Sequence, residues 1–228
     1  PMQQSNFFIK YVEFLQERYP DILIATRDHL TISAVSIVLG TLVAVPLGMF
    51  LAKNQMKWLH TLIFTITNVF QTIPSLALLA ILIPLLGIGV KPAIFALFLY
   101  SILPILRNTY AGFHAVDPSI VESARGMGYS ASQRLLLIQF PLAFPYIMSG
   151  LRITTVYIIS WTTLAALIGA GGLGELIVSG IGVNKKELII SGAVSAILLA
   201  LLADRLLGSI EKRVSRKAQM TSLNATKA

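Results

Sequence analysis

The chain has no cysteine, and charge is scarce, with Asp, Glu, Lys and Arg making up 12% of 228 residues. Without cysteine there is no disulfide framework and no thiolate metal site, so redox chemistry implies no compartment. A soluble globular domain carries roughly 25% charged residues. Half that share leaves too little polar surface for a folded chain of this length in water. Catalytic motifs are missing as well. The sequence contains no G-x-x-x-x-G-K-[ST], no H-E-x-x-H, no G-x-S-x-G and no carboxylate pair suited to acid–base work. The three histidines stand apart at positions 29, 60 and 114, near the ends of apolar runs, which points to interfacial residues rather than a metal site. A cleavable signal sequence is not evident either, because the first twenty-odd residues are mixed and charged.

What the chain does have is long uncharged runs. A helix crosses a bilayer with about 20 apolar residues. Residues 30–52 form a first run of that kind. The second, 58–90, is longer than one helix needs and contains Pro74 and Pro84. It predicts a long kinked helix ending near Leu86, followed by a turn at Gly87–Gly89. A third span is expected over about 91–113, a fourth from near Pro145, and a fifth from Leu188 through Leu207. The uncharged stretch 135–151 is broken by Pro141 and Pro145 and reads as a helix end followed by the entry to the fourth span. A separate span there would reverse the side of everything after it.

With five spans, the connecting segments alternate sides. One side collects twelve Lys and Arg against four acids, and the other six against six. The positive-inside rule makes the +8 side cytoplasmic, which places the N-terminus outside and the C-terminus inside. The same tally accounts for the basic composition without nucleic acid. Residues 1–28 then form an extracellular segment whose apolar positions 7, 8, 11, 12, 14 and 15 suit an amphipathic helix on the membrane surface. Residues 29–208 form the membrane domain, and 209–228 a basic cytoplasmic tail, expected to be disordered after Arg216. No ionisable side chain falls near the middle of a predicted span, which argues against a carrier driven by an ion gradient. The glycine-rich run Gly169-Ala-Gly-Gly-Leu-Gly174 lacks the lysine of a phosphate cradle. Its glycines suit close backbone approach or a loop that moves.

The segment 117–141 carries the most local detail. Asp117 caps a helix that Pro118 starts. Gly128 can end it in the left-handed conformation. Ser130 caps a second short helix, which Pro141 limits. The result is a helix–turn–helix knuckle on the cytoplasmic side. It can dock into a groove of a partner, ringed by Glu122, Arg125 and Arg134, or it can pack on its own spans.

Glu122-Ser123-Ala124, then Gly128, then Ile138 and Pro141 resemble the EAA motif of ABC importer permeases with the type I, methionine-permease-like fold. Ser123 departs from the family's Glu-Ala-Ala by one small residue. The likeness covers about residues 29–208 and is closest to osmoprotectant permeases of the OpuC/OpuB or ProW type. Asn68–Ala77, Tyr100–Tyr110 and Gly169–Gly174 carry it further. The resemblance implies an all-α membrane protein of about five spans that is not an enzyme. Its implied partners are a second permease, identical or paralogous, two cytoplasmic ATPases that bind the ATP and Mg, and an extracellular substrate-binding lipoprotein. Asp117, Glu122, Ser123, Ala124, Arg125, Gly126, Gly128, Arg134 and Pro141 would couple to the ATPase. The implied substrate is glycine betaine, carnitine or choline, with an amino-acid permease of the same fold, or a channel or scaffold without ATP coupling, as alternatives.

Quaternary ammonium groups favour aromatic faces. That makes Tyr100, Tyr157 and Trp161 candidate pathway residues, with Asn68, Gln71, Thr162 and Thr163 as neutral hydrogen-bonding partners. Helix-packing roles compete for each of them. Pro74, Gly171, Gly172 and Gly174 are the candidate moving parts, a static kink being the competing reading for Pro74.

Overall fold

The structure is a computed structural model describing residues 2–54 and 56–226, with side chains described for 9–54 and 56–215. The described residues are helical, joined by short turns: α1 (Met2–Lys53), α2 (Lys57–Thr72), α3 (Ser75–Leu86), α4 (Val90–His114), α5 (Pro118–Gly126), α6 (Ala131–Gln133), α7 (Phe140–Thr162), α8 (Leu173–Gly182) and α9 (Lys186–Thr226). A π-helical turn, Arg134–Gln139, joins α6 to α7, and a 3-10 turn, Thr163–Ile168, follows α7. Among the described residues, four stretches are long and apolar enough to cross a membrane: Ile9–Lys53, Val90–His114, Ala131–Ile168 and Lys186–Ser215. The broken pair α2–α3 makes a fifth when its two halves are counted as one span.

Three expectations change. The second span is a break rather than a kink: the chain turns by 98° between α2 and α3. Pro74, with ψ 135°, sits in extended backbone and caps α3. Proline carries no N–H and pushes Ile73 out of the helical region, so α2 stops there. Second, Pro141 does not limit the helix of the knuckle, and the fourth span does not begin near Pro145. Helical structure runs on from Ala131 through both prolines to Thr162. The π turn makes this possible: Phe140 N–H bonds to the Leu135 carbonyl, five residues back, and the widened turn relieves the clash a proline ring makes with the carbonyl four residues before it. Residues 135–151 are therefore part of the fourth span's helix and not a separate crossing. Third, residues 2–28 are not a separate helix but the first half of α1, and α9 continues past Arg216 to Thr226. The boundaries at 28/29 and 208/209 thus fall inside helices.

The chain divides into two compact units. One comprises residues 1–36, 73–97 and 157–201. In it the start of α1 packs on the α8–α9 corner. Phe14 is buried, Lys185 Nζ lies 5.0 Å from its ring centroid, and the Ser191 hydroxyl donates to the Tyr11 hydroxyl at 3.2 Å. The other unit comprises residues 37–72, 98–156 and 202–228. Its core is Ala44, Leu51, Ile102, Ile105 and Leu106, continued by Phe113, Ala143 and Ile147. Small residues bring the helices together, as membrane packing requires. A methyl group on Gly48 would stand 2.8 Å from Thr109 Cβ, and one on Gly150 2.6 Å from Asn108 Cβ.

Candidate functional site

The knuckle is built by local chemistry. Asp117 Oδ1 accepts from Ser119 N–H at 2.8 Å, closing the start of α5. That bond and the Ser119 hydroxyl hold the Asp117 carboxyl below its ordinary value. At the other end Gly128 has φ +85°. Its N–H bonds to the Arg125 carbonyl, and Tyr129 N–H to the Ala124 carbonyl. These two bonds are the Schellman pattern, with glycine at the left-handed position. Ser130 and Gln133 then form a reciprocal capping box. Arg134 donates to the Tyr129 carbonyl at 2.6 Å, tying the turn to the π-helical segment. Ala124 is the buried residue of α5, while Glu122, Ser123, Arg125, Gly126 and Met127 are exposed. Leu136, Leu137 and Pro141 on the following helix are exposed too. The knuckle thus packs on its own chain through Ala124 and presents a mixed charged and apolar outer face.

The candidate pathway residues separate into two groups. Asn68, Gln71 and Tyr100 belong to the second unit, and Tyr157, Trp161, Thr162 and Thr163 to the first. Asn68 Oδ1 accepts from Arg107 at 3.3 Å. The Gln71 amide donates to the Tyr100 carbonyl. That carbonyl lies four residues before Pro104, whose missing N–H would otherwise leave it without a helical partner. Inside a membrane such a group must be satisfied by protein, so Gln71 repairs α4. Tyr100 itself is only 3% exposed. In the first unit Tyr157 and Trp161 stack with centroids 6.0 Å apart and planes at 19°. Tyr157 is 53% exposed. Thr162 is buried, its hydroxyl paired with that of Ser33 at 2.9 Å. The Thr163 hydroxyl bonds to the Ser160 carbonyl.

The glycine-rich turn has three glycines in the left-handed region: Gly169 at φ +75°, Gly171 at +79° and Gly172 at +80°. Gly174 is glycine for a different reason: a methyl there would lie 2.0 Å from the Thr163 carbonyl oxygen.

Two features were not legible as sites. His29 is fully buried, and it contacts this turn. Arg152 is clasped by α9. It meets Asp204 with two bonds, at 2.6 and 2.9 Å, and Glu211 with one at 3.1 Å. Gly208 lies between those acids, and a methyl on it would stand 3.0 Å from the guanidinium carbon. The signal was available: two acids seven residues apart share a helix face, with a glycine between them to admit a large side chain.

The chain is 47% identical over 204 residues to the choline transport system permease protein OpuBB of Bacillus subtilis (strain 168), covering 90% of this chain and 93% of that one. It is equally similar, over the same shares, to the glycine betaine/carnitine/choline transport system permease protein OpuCB of that organism. Among solved structures, an inward-facing MetNI methionine ABC transporter superposes with a TM-score of 0.74 at 22% identity, over 85% of this chain and 95% of its own. At that identity the likeness concerns the fold, which is the all-α type I ABC importer permease fold. Residues 44–216 match the family described as binding-protein-dependent transport system inner membrane component, and the chain, a multi-pass membrane transport component and not an enzyme, belongs to that family.

Proposed function

We propose that this chain forms the translocation pathway of an ATP-driven importer for a quaternary ammonium osmoprotectant such as glycine betaine, carnitine or choline. The observation that carries the substrate is the 47% identity, over nine-tenths of the chain, to permeases named for those solutes. The stacked Tyr157–Trp161 pair, with Tyr157 exposed, offers the aromatic faces such a cation favours. A permease of this family works with an ATPase and a substrate-binding protein. We propose two cytoplasmic ATPases, which bind the ATP and Mg, a second permease, and an extracellular binding lipoprotein.

The outer face of the knuckle, with Glu122, Ser123 and Arg125 around Gly126 and Met127, is the surface proposed to dock on the ATPase. Its rigidity supports this reading: both ends of α5 are capped, and Arg134 ties the turn onward. The excess of Lys and Arg on one side supports an outside N-terminus and a cytoplasmic C-terminus. The glycine-rich turn and the break at Pro74 are the proposed moving parts.

Reconstituting the chain with its ATPase and binding protein, and following radiolabelled betaine, carnitine, choline and methionine, tests the proposal. ATP-dependent uptake of a quaternary ammonium solute is expected. Uptake of methionine alone would assign the chain to another solute, and uptake without ATP would remove the coupling reading.

A further inference from the structure

Segment 163–172 is held at both ends by one side chain of α1. At its start α7 tightens into the 3-10 turn at Thr163. The Ile159 carbonyl lies in the last turn of α7, beside this change of helix type. At its end Leu173 opens α8, and the capping residue, Gly172, has no side chain with which to cap it. One side chain from α1 reaches both positions. His29 Nε2 lies 2.9 Å from the Ile159 carbonyl oxygen, and its Nδ1 lies 3.3 Å from Leu173 N. The ring therefore donates from Nε2 and accepts at Nδ1, the neutral tautomer that fits both neighbours.

The surroundings are shaped to the ring. His29 is fully buried. A methyl on Gly172 would stand 3.2 Å from Nδ1 and 3.4 Å from the His29 Cα. One turn along α1, Ser33 donates to the His29 carbonyl and pairs with the Thr162 hydroxyl. The turn is also held from α4's entry, where Gly89 N–H bonds to the Ile168 carbonyl at 2.8 Å.

We propose that His29 is a positioning residue for transport: a two-headed staple that spans segment 163–172 and fixes the geometry of the glycine-rich turn. Three left-handed glycines give that turn freedom, and the staple removes it. A turn that moves during the cycle must break and remake these two bonds, so their strength sets how readily it moves. This inference rests on the reading of the glycine-rich turn as a moving part.

The test uses the complete importer in nanodiscs with three variants. His29→Gln keeps a donor near the Nε2 position, His29→Asn keeps an acceptor near the Nδ1 position, and His29→Ala keeps neither. Amide hydrogen exchange of residues 169–175 needs no solute, so it reads the staple independently of substrate identity. His29→Ala is expected to speed exchange there at least tenfold, and each amide variant to speed it less. Uptake per assembled complex, and solute moved per ATP hydrolysed, are expected to fall most in His29→Ala and to be partly rescued by Asn or Gln. Unchanged exchange in His29→Ala would overturn the staple. Faster exchange with unchanged uptake and coupling would uphold the staple as structure but overturn its role in transport, and with it the reading of the turn as a moving part.

Discussion

At the residue scale, several side chains that look like solute contacts serve the backbone. Gln71 replaces the hydrogen bond that Pro104 removes from the Tyr100 carbonyl. Gln71→Leu should therefore cost about 1 kcal/mol of stability, the usual worth of one hydrogen bond. In a Pro104→Ala background, where an N–H is restored, it should cost much less. Thermal unfolding of the two single variants and the double variant measures that coupling; strictly additive losses would show that Gln71 and Pro104 do not share the carbonyl. Gly174 is a sharper case. The nearest atom to an added methyl is a backbone oxygen, which has no rotamer by which to retreat. Gly174→Ala should destabilise by about 1–3 kcal/mol, as overpacking does, and lower the recovered, detergent-stable protein.

At the element scale, α5 is held by chemistry at both ends, and the two glycines at its C-terminal end, Gly126 within it and Gly128 beyond it, separate by conformation. Gly128 has φ +85°, while Gly126 lies within the helix. An added methyl meets nothing within 4 Å at either position. Only backbone conformation distinguishes them. Gly128→Ala should loosen the helix by about 1–2 kcal/mol, the cost of a left-handed L-residue. Gly126→Ala should tighten it by about 0.5–1 kcal/mol through helix propensity. Hydrogen exchange of the 119–129 amides reads both signs. The Asp117 cap adds a pH dependence. Its carboxyl is held below the ordinary value, so its contribution to α5 is complete above the usual carboxylate range and is lost as pH falls through the lowered value. Asp117→Asn, which caps without charge, should remove that dependence while keeping the helix.

This element was legible in the sequence because Asp117-Pro118, Gly128 and Ser130 act within four residues of themselves. Its continuation was not. Pro141 reads as a terminator under local rules, and only the five-residue hydrogen bond at Phe140 lets the helix pass it. The break at Pro74 was visible as a proline, but its angle was not. His29 and Arg152 stayed hidden for a different reason, because their partners lie 130 and 52 residues away in sequence for the first contact of each.

At the scale of the whole molecule, helix lengths and charge placement organise the account. Ala131–Ile168 is 38 residues, about 57 Å of helix at 1.5 Å per residue, against a hydrocarbon core of about 30 Å. The surplus extends outside the hydrocarbon, and the second half of the knuckle, residues 131–141, is the first part of this helix. Everything proposed about energy coupling requires that this end face the cytosol. The absence of cysteine allows a single labelled position without background. Ser123→Cys, exposed on α5, treated with a membrane-impermeant maleimide in right-side-out and inside-out vesicles, is the most direct measurement. The account predicts labelling in inside-out vesicles alone, protected when the ATPase is bound. Labelling in right-side-out vesicles would put the knuckle outside the cell and contradict it.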